Sequence, residues 1–227
     1  MMLPLLSLLS LIITFYPSPL LPAAFYTPLL NHIDDEFAHS DLKILTNPSS
    51  STLSTLDSNS EVITLSHSAG SQRMIMRRFK PSSPSSRLDL QHLGHIFVSY
   101  NNYPLSSSMP GGAKIARFRD YVSLINLPSR SKSVSRRLKK ISSENVLIVQ
   151  AANDGIDQSY QLHEALKDDN DVRWCRLGGG HLDCVNSEDC KEVVVGFVRH
   201  LAKREGRKGR DKGREEKEVD DIIEMNK

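Results

Sequence analysis

Short apolar runs alternate with amphipathic stretches along most of this chain. The most strand-like run is NVLIVQA, Asn145–Ala151, an apolar stretch typical of a strand that is buried on both faces of a parallel sheet. Shorter runs of the same kind predict further strands at Leu11–Tyr16, Leu42–Leu45, Val62–Leu65, His95–Tyr100 and Val172–Leu177.

The stretches between these runs carry apolar residues at helical spacing. The clearest is Glu188–Leu201, which has one apolar face and Ser187 as its expected N-cap. Helices are also predicted at Ala23–His39, Ala69–Phe79 and Gln158–Asp169. Strands and helices therefore alternate through short connections, which predicts an α/β fold: a parallel sheet covered by helices on both faces.

Composition and charge divide the chain into three parts. Residues 1–10 are an apolar N-terminus and a candidate signal-like segment, residues 11–201 form one domain, and residues 202–227 are rich in charge and glycine. We expect this last part to be a disordered tail. At 227 residues the chain is long enough for one substantial core.

The bulk charge and the cysteines exclude several kinds of site. A formal net charge of +2 gives no information about partners. The basic run Arg130–Lys140 is interpreted as a solvated face, with an anion-attracting lid as the alternative. No aromatic residues are interleaved with this run, so no nucleic-acid partner is expected. The three cysteines Cys175, Cys184 and Cys190 form no CxxC pair, so we expect reduced thiols and no metal. Gly178–Gly180 lacks the lysine and serine of a P-loop, and no cofactor is predicted.

The pentapeptide SHSAG, Ser66–Gly70, lies between a predicted strand and a predicted helix. A serine hydroxyl becomes a nucleophile when a base removes its proton, and G-x-S-x-G on a tight strand-to-helix turn is a usual way to present such a serine. Here Ser66 replaces the first glycine, and it is small enough for the turn. Ser68 is therefore the candidate nucleophile, although so loose a pattern also fits an ordinary serine in a serine-rich chain.

Candidate partners for Ser68 follow later strands in the order acid, then histidine. Asp154 follows the strand that ends at Ala151 and is the candidate acid, while Asp157 is the alternative acid or an N-cap of the next helix. His181 follows the next strand, in a glycine-rich loop, and is the candidate base. All these positions belong to the carboxyl edge of a parallel sheet, where such folds place their sites.

An oxyanion site needs two amide donors, and the first would be Ala69, the residue after the nucleophile. The second is expected in the loop after the first strand, FYPSPLLP, where proline has no N–H and Tyr16 or Ser18 is the candidate donor. His67 is interpreted as the variable residue of the turn rather than as the base.

Four blocks of the sequence resemble the signature blocks of the DUF1350 family, an α/β-hydrolase-like family of cyanobacteria and plastid-bearing organisms. They are SHSAGS, HIFVSYNNYPLSSSMP, NVLIVQAANDGIDQS and LGGGHLDCV. The resemblance spans Phe15 to Leu201 and implies a three-layer α/β-hydrolase-like sandwich with a mostly parallel sheet of about six strands. By position, Ser68 matches the elbow serine, Asp154 and Asp157 the acidic pair, and His181 the late histidine. Because the segment before Asn145 is short for this family, a reduced cap is expected.

The N-terminus, MMLPLLSLLSLIITFY, allows two interpretations. It is short for a membrane span and lacks the basic start of a secretory signal, although LLPAAF offers small residues for cleavage. In the DUF1350-like alignment Leu11–Tyr16 is a central strand, and cleavage after Ala24 would remove it and leave backbone groups unpaired. We favour the strand. A plastid location follows by family analogy alone, and the secretory pathway is the alternative.

Two functions are consistent with these patterns. The first is a serine hydrolase acting on an ester or thioester of a small-molecule or lipid-like acyl substrate, with Ser68, Asp154 and His181 as the triad and Ala69 at the oxyanion. The second is a hydrolase-like fold without catalysis that serves as a binding or assembly module, which the proline-rich oxyanion loop and the reduced cap favour. The ordered triad favours the enzyme. Neither substrate nor oligomeric state is indicated.

Overall fold

A computed structural model describes residues 10–56, 60–71, 74, 91–101, 145–155, 157–167 and 171–206. Within these ranges, six strands form one sheet, and each neighbouring pair is parallel. The strands are β1 (Leu11–Tyr16), β2 (Leu42–Thr46), β3 (Glu61–His67), β4 (Gln91–Val98), β5 (Asn145–Ala151) and β6 (Val172–Leu177). Their order across the sheet is β2-β1-β3-β4-β5-β6.

Helices follow the strands and cover both faces of the sheet. A 3-10 turn at Ala23–Tyr26 leads into α1 (Thr27–Glu36), α2 is a single turn at Ser50–Ser54, and the chain is again helical at Gly70, Ser71 and Met74. The later helices are α3 (Ser159–Leu166), α4 (His181–Asn186) and α5 (Glu188–Gly206). The α/β class and the three-layer, mostly parallel sheet predicted from the sequence are confirmed.

Alternation along the strands divides the core between the two faces of the sheet. In β5, Leu147 and Val149 belong to the cluster that packs against α1 and α5, whereas Val146 and Ile148 belong to the cluster beneath α3. All four side chains are fully buried, because both faces of this strand are covered by helices. The carboxyl edge of the sheet is left to the loops that carry the candidate site residues.

Several predicted boundaries differ from the observed ones for local reasons. β4 begins at Gln91 and ends at Val98, rather than spanning His95–Tyr100, because Ser99 has a φ of 45° and leaves the extended conformation. The helix predicted at Ala23–His39 begins as a 3-10 turn and ends at Glu36. The serine-rich stretch Ser49–Ser60, which the sequence predicts to be a loop or at most one weak helical turn, contains the single turn of α2, capped by the Ser49 hydroxyl.

The last helix corrects the predicted start of the charged tail. α5 was expected to end at Leu201, but it continues to Gly206 through residues with high helix propensity. The remainder of the tail, residues 207–227, lies outside the described residues. So do residues 1–9, most of the helix predicted at Ala69–Phe79, and the segment 102–144 with the expected reduced cap and the basic run Arg130–Lys140. No helix of the described ranges is long and apolar enough to cross a membrane.

Candidate active site

Ser68 occupies the tight turn between β3 and the helix that begins at Gly70. Its φ is 53°, in the left-handed region that non-glycine residues enter only where the surroundings hold them there. The amide of Ser68 donates to the carbonyl of Val98 at 3.0 Å, and its own carbonyl accepts from the amide of Ser71 at 3.1 Å. The turn that presents Ser68 is therefore bonded to the end of the neighbouring strand.

The turn needs a glycine at position 70. A Cβ added there would lie 2.0 Å from the carbonyl oxygen of Tyr16 and 2.6 Å from that of Pro17, and both of these are backbone atoms. The helix after Ser68 thus begins directly against the end of β1, and no larger residue fits without moving one of the two segments.

Ser66, which replaces the usual first glycine, is fully buried and bonded. Its hydroxyl donates to the carbonyl of Ile96 at 3.3 Å and lies 3.0 Å from the hydroxyl of Ser71, which then donates to it. Because the additional side chain meets polar partners, the substitution is accommodated within the turn.

His181 lies between Ser68 and Asp154. Its Nε2 is 2.8 Å from Oγ of Ser68, and its Nδ1 contacts Oδ2 of Asp154. A carboxylate can only accept, so Nδ1 carries the hydrogen and Nε2 of the neutral ring accepts from the serine hydroxyl. The Asp154 side chain is 3% exposed and that of His181 is 16% exposed, so the carboxylate is buried and the imidazole is partly accessible to solvent.

The loops that carry Asp154 and His181 are bonded to each other. The amide of Ala152 donates to the carbonyl of Leu177 at 2.8 Å, and that of Asn153 donates to the carbonyl of Gly179 at 3.1 Å. His181 was expected within a glycine-rich loop, but it is the first residue of α4, with Gly180 as the N-cap. The helix starts there because the two glycines before it complete the turn, Gly179 with a φ of 92°.

Asp157 contacts backbone amides rather than the histidine. Its carboxylate accepts from the amide of Ala151 at 2.9 Å and from the amide of Ser159 at 2.6 Å, so it joins the end of β5 to the start of α3. Burial raises the pKa of Asp157, and the hydrogen bonds from Ser159 and Ala151 oppose that rise. The structure therefore places Asp154, and not Asp157, beside the ring of His181.

The two candidate oxyanion donors lie on either side of the turn. Ala69 is 2% exposed. Among the described residues, none accepts a hydrogen bond from its amide. Tyr16 pairs with Ser66 at the end of β1. The alternative donor Ser18 is excluded, because its amide donates to the hydroxyl of Tyr26 at 2.9 Å.

Tyr26 and His67 form a buried pair that the sequence pattern did not indicate. The hydroxyl of Tyr26 lies 2.9 Å from Nδ1 of His67, and Nε2 of His67 lies 3.3 Å from the carbonyl oxygen of His181. Burial, and then the neighbouring His181, lowers the pKa of His67 to about 3. Tyr26 and His67 are 41 residues apart, so no local sequence pattern could show that their side chains meet.

The described residues contain no cluster of three or more His, Cys, Asp or Glu side chains that could hold a metal ion. Cys175, Cys184 and Cys190 are buried free thiols, and none of them forms a disulfide. Burial raises the pKa of Cys175 to about 12, so this thiol stays protonated. At the carboxyl edge, the described residues bring together a serine hydroxyl, an imidazole and a carboxylate.

Solved structures with the same architecture are similar to this chain at low sequence identity. Est1E from Butyrivibrio proteoclasticus has a TM-score of 0.54 and 14% identity, and the match covers 86% of this chain and 89% of that chain. Carboxyl esterase 2 from Tuber melanosporum has 0.53 and 14%, over 87% and 78%. A predicted CIB-like hydrolase from Thermoplasma acidophilum has 0.52 and 12%, over 83% and 86%.

These similarities show that the chain has the α/β-hydrolase fold. No family model matches the chain, and no curated protein matches it. At identities this low the shared feature is the fold, and an activity has to be argued from the side chains at the carboxyl edge.

Proposed function

We propose that this protein is a serine hydrolase that cleaves an ester or thioester. One observation carries the proposal: His181 lies within hydrogen-bond distance of Ser68 on one side and contacts Asp154 on the other. Such an arrangement of hydroxyl, imidazole and carboxylate lets a neutral serine act as a nucleophile at neutral pH. Assignment to the DUF1350 family is part of the same proposal and rests on the four sequence blocks.

In the first half of the reaction, Oγ of Ser68 attacks the carbonyl carbon of the substrate while Nε2 of His181 accepts the hydroxyl proton. The carboxylate of Asp154 holds the Nδ1–H and stabilises the imidazolium that forms. The tetrahedral intermediate then collapses, the bond to the alcohol or thiol breaks, and Nε2 returns its proton to that leaving group. The acyl group remains on Ser68.

In the second half, Nε2 of His181 removes a proton from water, and the oxygen of this water attacks the acyl carbon. Collapse of the second intermediate breaks the bond to Oγ, which recovers the proton from Nε2. The acid product leaves with the oxygen that entered as water. The same three side chains therefore serve both steps.

The negative oxygen of each intermediate would be held by two amides. We assign the first to Ala69, whose N–H has no acceptor among the described residues. Between Tyr16 and Leu21, Pro17 and Pro19 have no N–H, and the amides of Ser18, Leu20 and Leu21 donate to Tyr26, to the Ser18 hydroxyl and to the Ser18 carbonyl. The second donor predicted from the sequence, Tyr16, is the last residue of β1 and pairs there with Ser66, so the assignment of the second amide stays a prediction.

Two exposed leucines, one directly after His181 and one in the loop after β1, support an apolar acyl substrate. Leu182 directly follows His181 and is 45% exposed, and Leu20, in the loop after β1, is 67% exposed. Both lie on segments that follow strands at the carboxyl edge. One similar solved structure, that of carboxyl esterase 2 from Tuber melanosporum, is described as an esterase and is consistent with an ester as the bond that is cleaved.

A fluorophosphonate probe tests the proposal directly. It forms a covalent bond with an activated serine, so the wild type should be labelled and Ser68→Ala should not. Ser71→Ala is the matched control, because it removes a nearby buried hydroxyl and leaves Ser68 in place. A folded wild type that stays unlabelled would refute the hydrolase and favour the binding or assembly module.

A further inference from the structure

A chain of hydrogen bonds runs from the loop after β1 to the first residue of α4 through two buried rings. The amide of Ser18 donates to the phenol oxygen of Tyr26, and the phenol lies 2.9 Å from Nδ1 of His67. Nε2 of His67 then lies 3.3 Å from the carbonyl oxygen of His181. Both Tyr26 and His67 are 0% exposed, so water does not compete for these contacts.

The groups in this series of hydrogen bonds determine which atoms of Tyr26 and His67 carry the protons. Burial raises the pKa of Tyr26 to about 12, so the phenol keeps its proton. The carbonyl of His181 can only accept, so Nε2 of His67 carries the hydrogen. Nδ1 of the neutral ring is then the acceptor, and the phenol of Tyr26 donates to it. His67 is thus a neutral ring in one tautomer.

We propose that His67, held by the hydroxyl of Tyr26, is a positioning residue that fixes His181 against Ser68. This inference rests on the proposed function, because it assigns His67 a part in the same site. The Nε2–H of His67 holds the backbone of His181, and the two imidazole rings pack with centroids 5.0 Å apart. The next residue, Ser68, contacts the ring of the same histidine. Two consecutive residues, His67 and Ser68, therefore contact the backbone carbonyl and the ring of His181.

Three glycines precede His181, and glycine restricts the backbone less than any other residue. Hydrogen bonds from neighbouring segments therefore set the position of His181. The amide of Asn153 donates to the carbonyl of Gly179, and Asp154 orients the ring of His181 through Nδ1. The bond from His67 adds a contact to the carbonyl of residue 181 itself.

Tyr26 is itself well placed to hold His67. Its ring packs edge to face against Phe15 at 4.9 Å and against Phe25 at 5.1 Å, which fixes the direction of the hydroxyl. It also packs against the ring of His67 at 5.5 Å. Tyr26→Phe would keep this packing and remove the proton that the phenol donates to Nδ1 of His67.

A matched pair of variants tests the proposal. His67→Gln keeps an N–H near the position of Nε2, whereas His67→Met has a similar length and no donor. We expect crystal structures to keep the contact between Oγ of Ser68 and Nε2 of His181 in H67Q and to lose it in H67M. The rate constant for inactivation by a fluorophosphonate should fall about 10- to 100-fold in H67M, with recovery in H67Q and little change in the probe concentration for half-maximal rate.

Selective 15N labelling of the histidines gives a measurement on the wild type itself. The ring nitrogens of His67, assigned by their loss in H67Q, should report a neutral ring with hydrogen on Nε2, and Tyr26→Phe should weaken that preference. Hydrogen on Nδ1 in the wild type would overturn the proposal. So would an unmoved His181 in H67M, or equal losses in H67M and H67Q.

The two proposals fail in distinguishable ways. If the wild type does not react with the probe, the hydrolase is refuted, while the position of His181 in the two variants and the tautomer of His67 still decide the positioning role. If the wild type reacts and H67M reacts equally fast, the positioning role is refuted and the hydrolase stands.

Discussion

Gly70 faces the carbonyl oxygen of Tyr16 so closely that a Cβ on residue 70 would lie 2.0 Å from that oxygen. The contact joins the start of the helix after Ser68 to the end of β1. The position of the serine turn relative to β1 is therefore set by a contact between backbone atoms.

Gly70→Ala should destabilise the protein by about 3 kcal/mol, because two backbone segments must separate to admit the methyl group. Chemical denaturation measures the loss. Gly196→Ala is the matched control: a Cβ there meets nothing within 4 Å, and alanine in α5 should stabilise by about 0.5–1 kcal/mol. Equal effects of the two substitutions would contradict the close contact at Gly70.

Ser66 and Ser71 should be energetically coupled. Ser66→Ala leaves the buried hydroxyl of Ser71 without its acceptor and should cost about 1 kcal/mol, whereas the double variant Ser66→Ala/Ser71→Ala removes both groups and should cost less than the sum of the single changes. A double-mutant cycle from urea unfolding measures this coupling. Strict additivity would show that the two hydroxyls do not interact.

Asp154 and Asp157 should fail differently when changed to asparagine. Asp154→Asn should lower the rate of probe labelling by about 10²–10⁴-fold at nearly unchanged melting temperature, because Nδ1 of His181 loses its carboxylate. Asp157→Asn should instead lower stability by about 2 kcal/mol, because one of the amides of Ala151 and Ser159 loses a charged acceptor. If labelling depends on Asp157 and not on Asp154, the acid is wrongly assigned.

His67 should make the protein sensitive to mild acid. The pKa of the folded state, about 3, lies below the ordinary 6.5, so the unfolded chain binds a proton that the folded chain excludes. This contribution to stability is complete above pH 6.5 and is lost as the pH falls towards 3, by about 1.4 kcal/mol per pH unit. The groups that face the ring are Tyr26, His181 and Asp154. Urea unfolding between about pH 4 and pH 7 should show a shallower slope in His67→Gln.

The strand pattern was readable from the sequence because buried parallel strands are nearly continuous apolar runs. β1 and β5 were predicted with the bounds that the structure gives them, and the order of Ser68, Asp154 and His181 at strand ends placed these residues at one edge. What depended on a single dihedral angle was missed, since the left-handed backbone of Ser99 ends β4 at Val98. The one helical turn that the serine-rich stretch was expected at most to form is present, and the Ser49 hydroxyl caps it.

Contacts between distant side chains were also beyond the sequence. Nothing local distinguishes Tyr26 from the other apolar residues of its helical stripe, and its role follows from a hydroxyl that meets His67 across 41 residues. Likewise the choice between Asp154 and Asp157 could not be made from spacing, since both follow β5 and only the fold decides which carboxylate faces backbone amides.

The parts of the site come from two halves of the chain, which are joined within the sheet where β4 pairs with β5. Ser68, His67 and Tyr26 lie before this pairing and Asp154 and His181 after it, and Ser68 and His181 are 113 residues apart. The hydrogen bonds of His181 with Ser68 and His67 can form only when both halves are present. The appearance of probe reactivity during refolding would therefore report the time at which β4 and β5 pair. Two separately expressed halves should each be unreactive towards the probe and should become reactive when they associate.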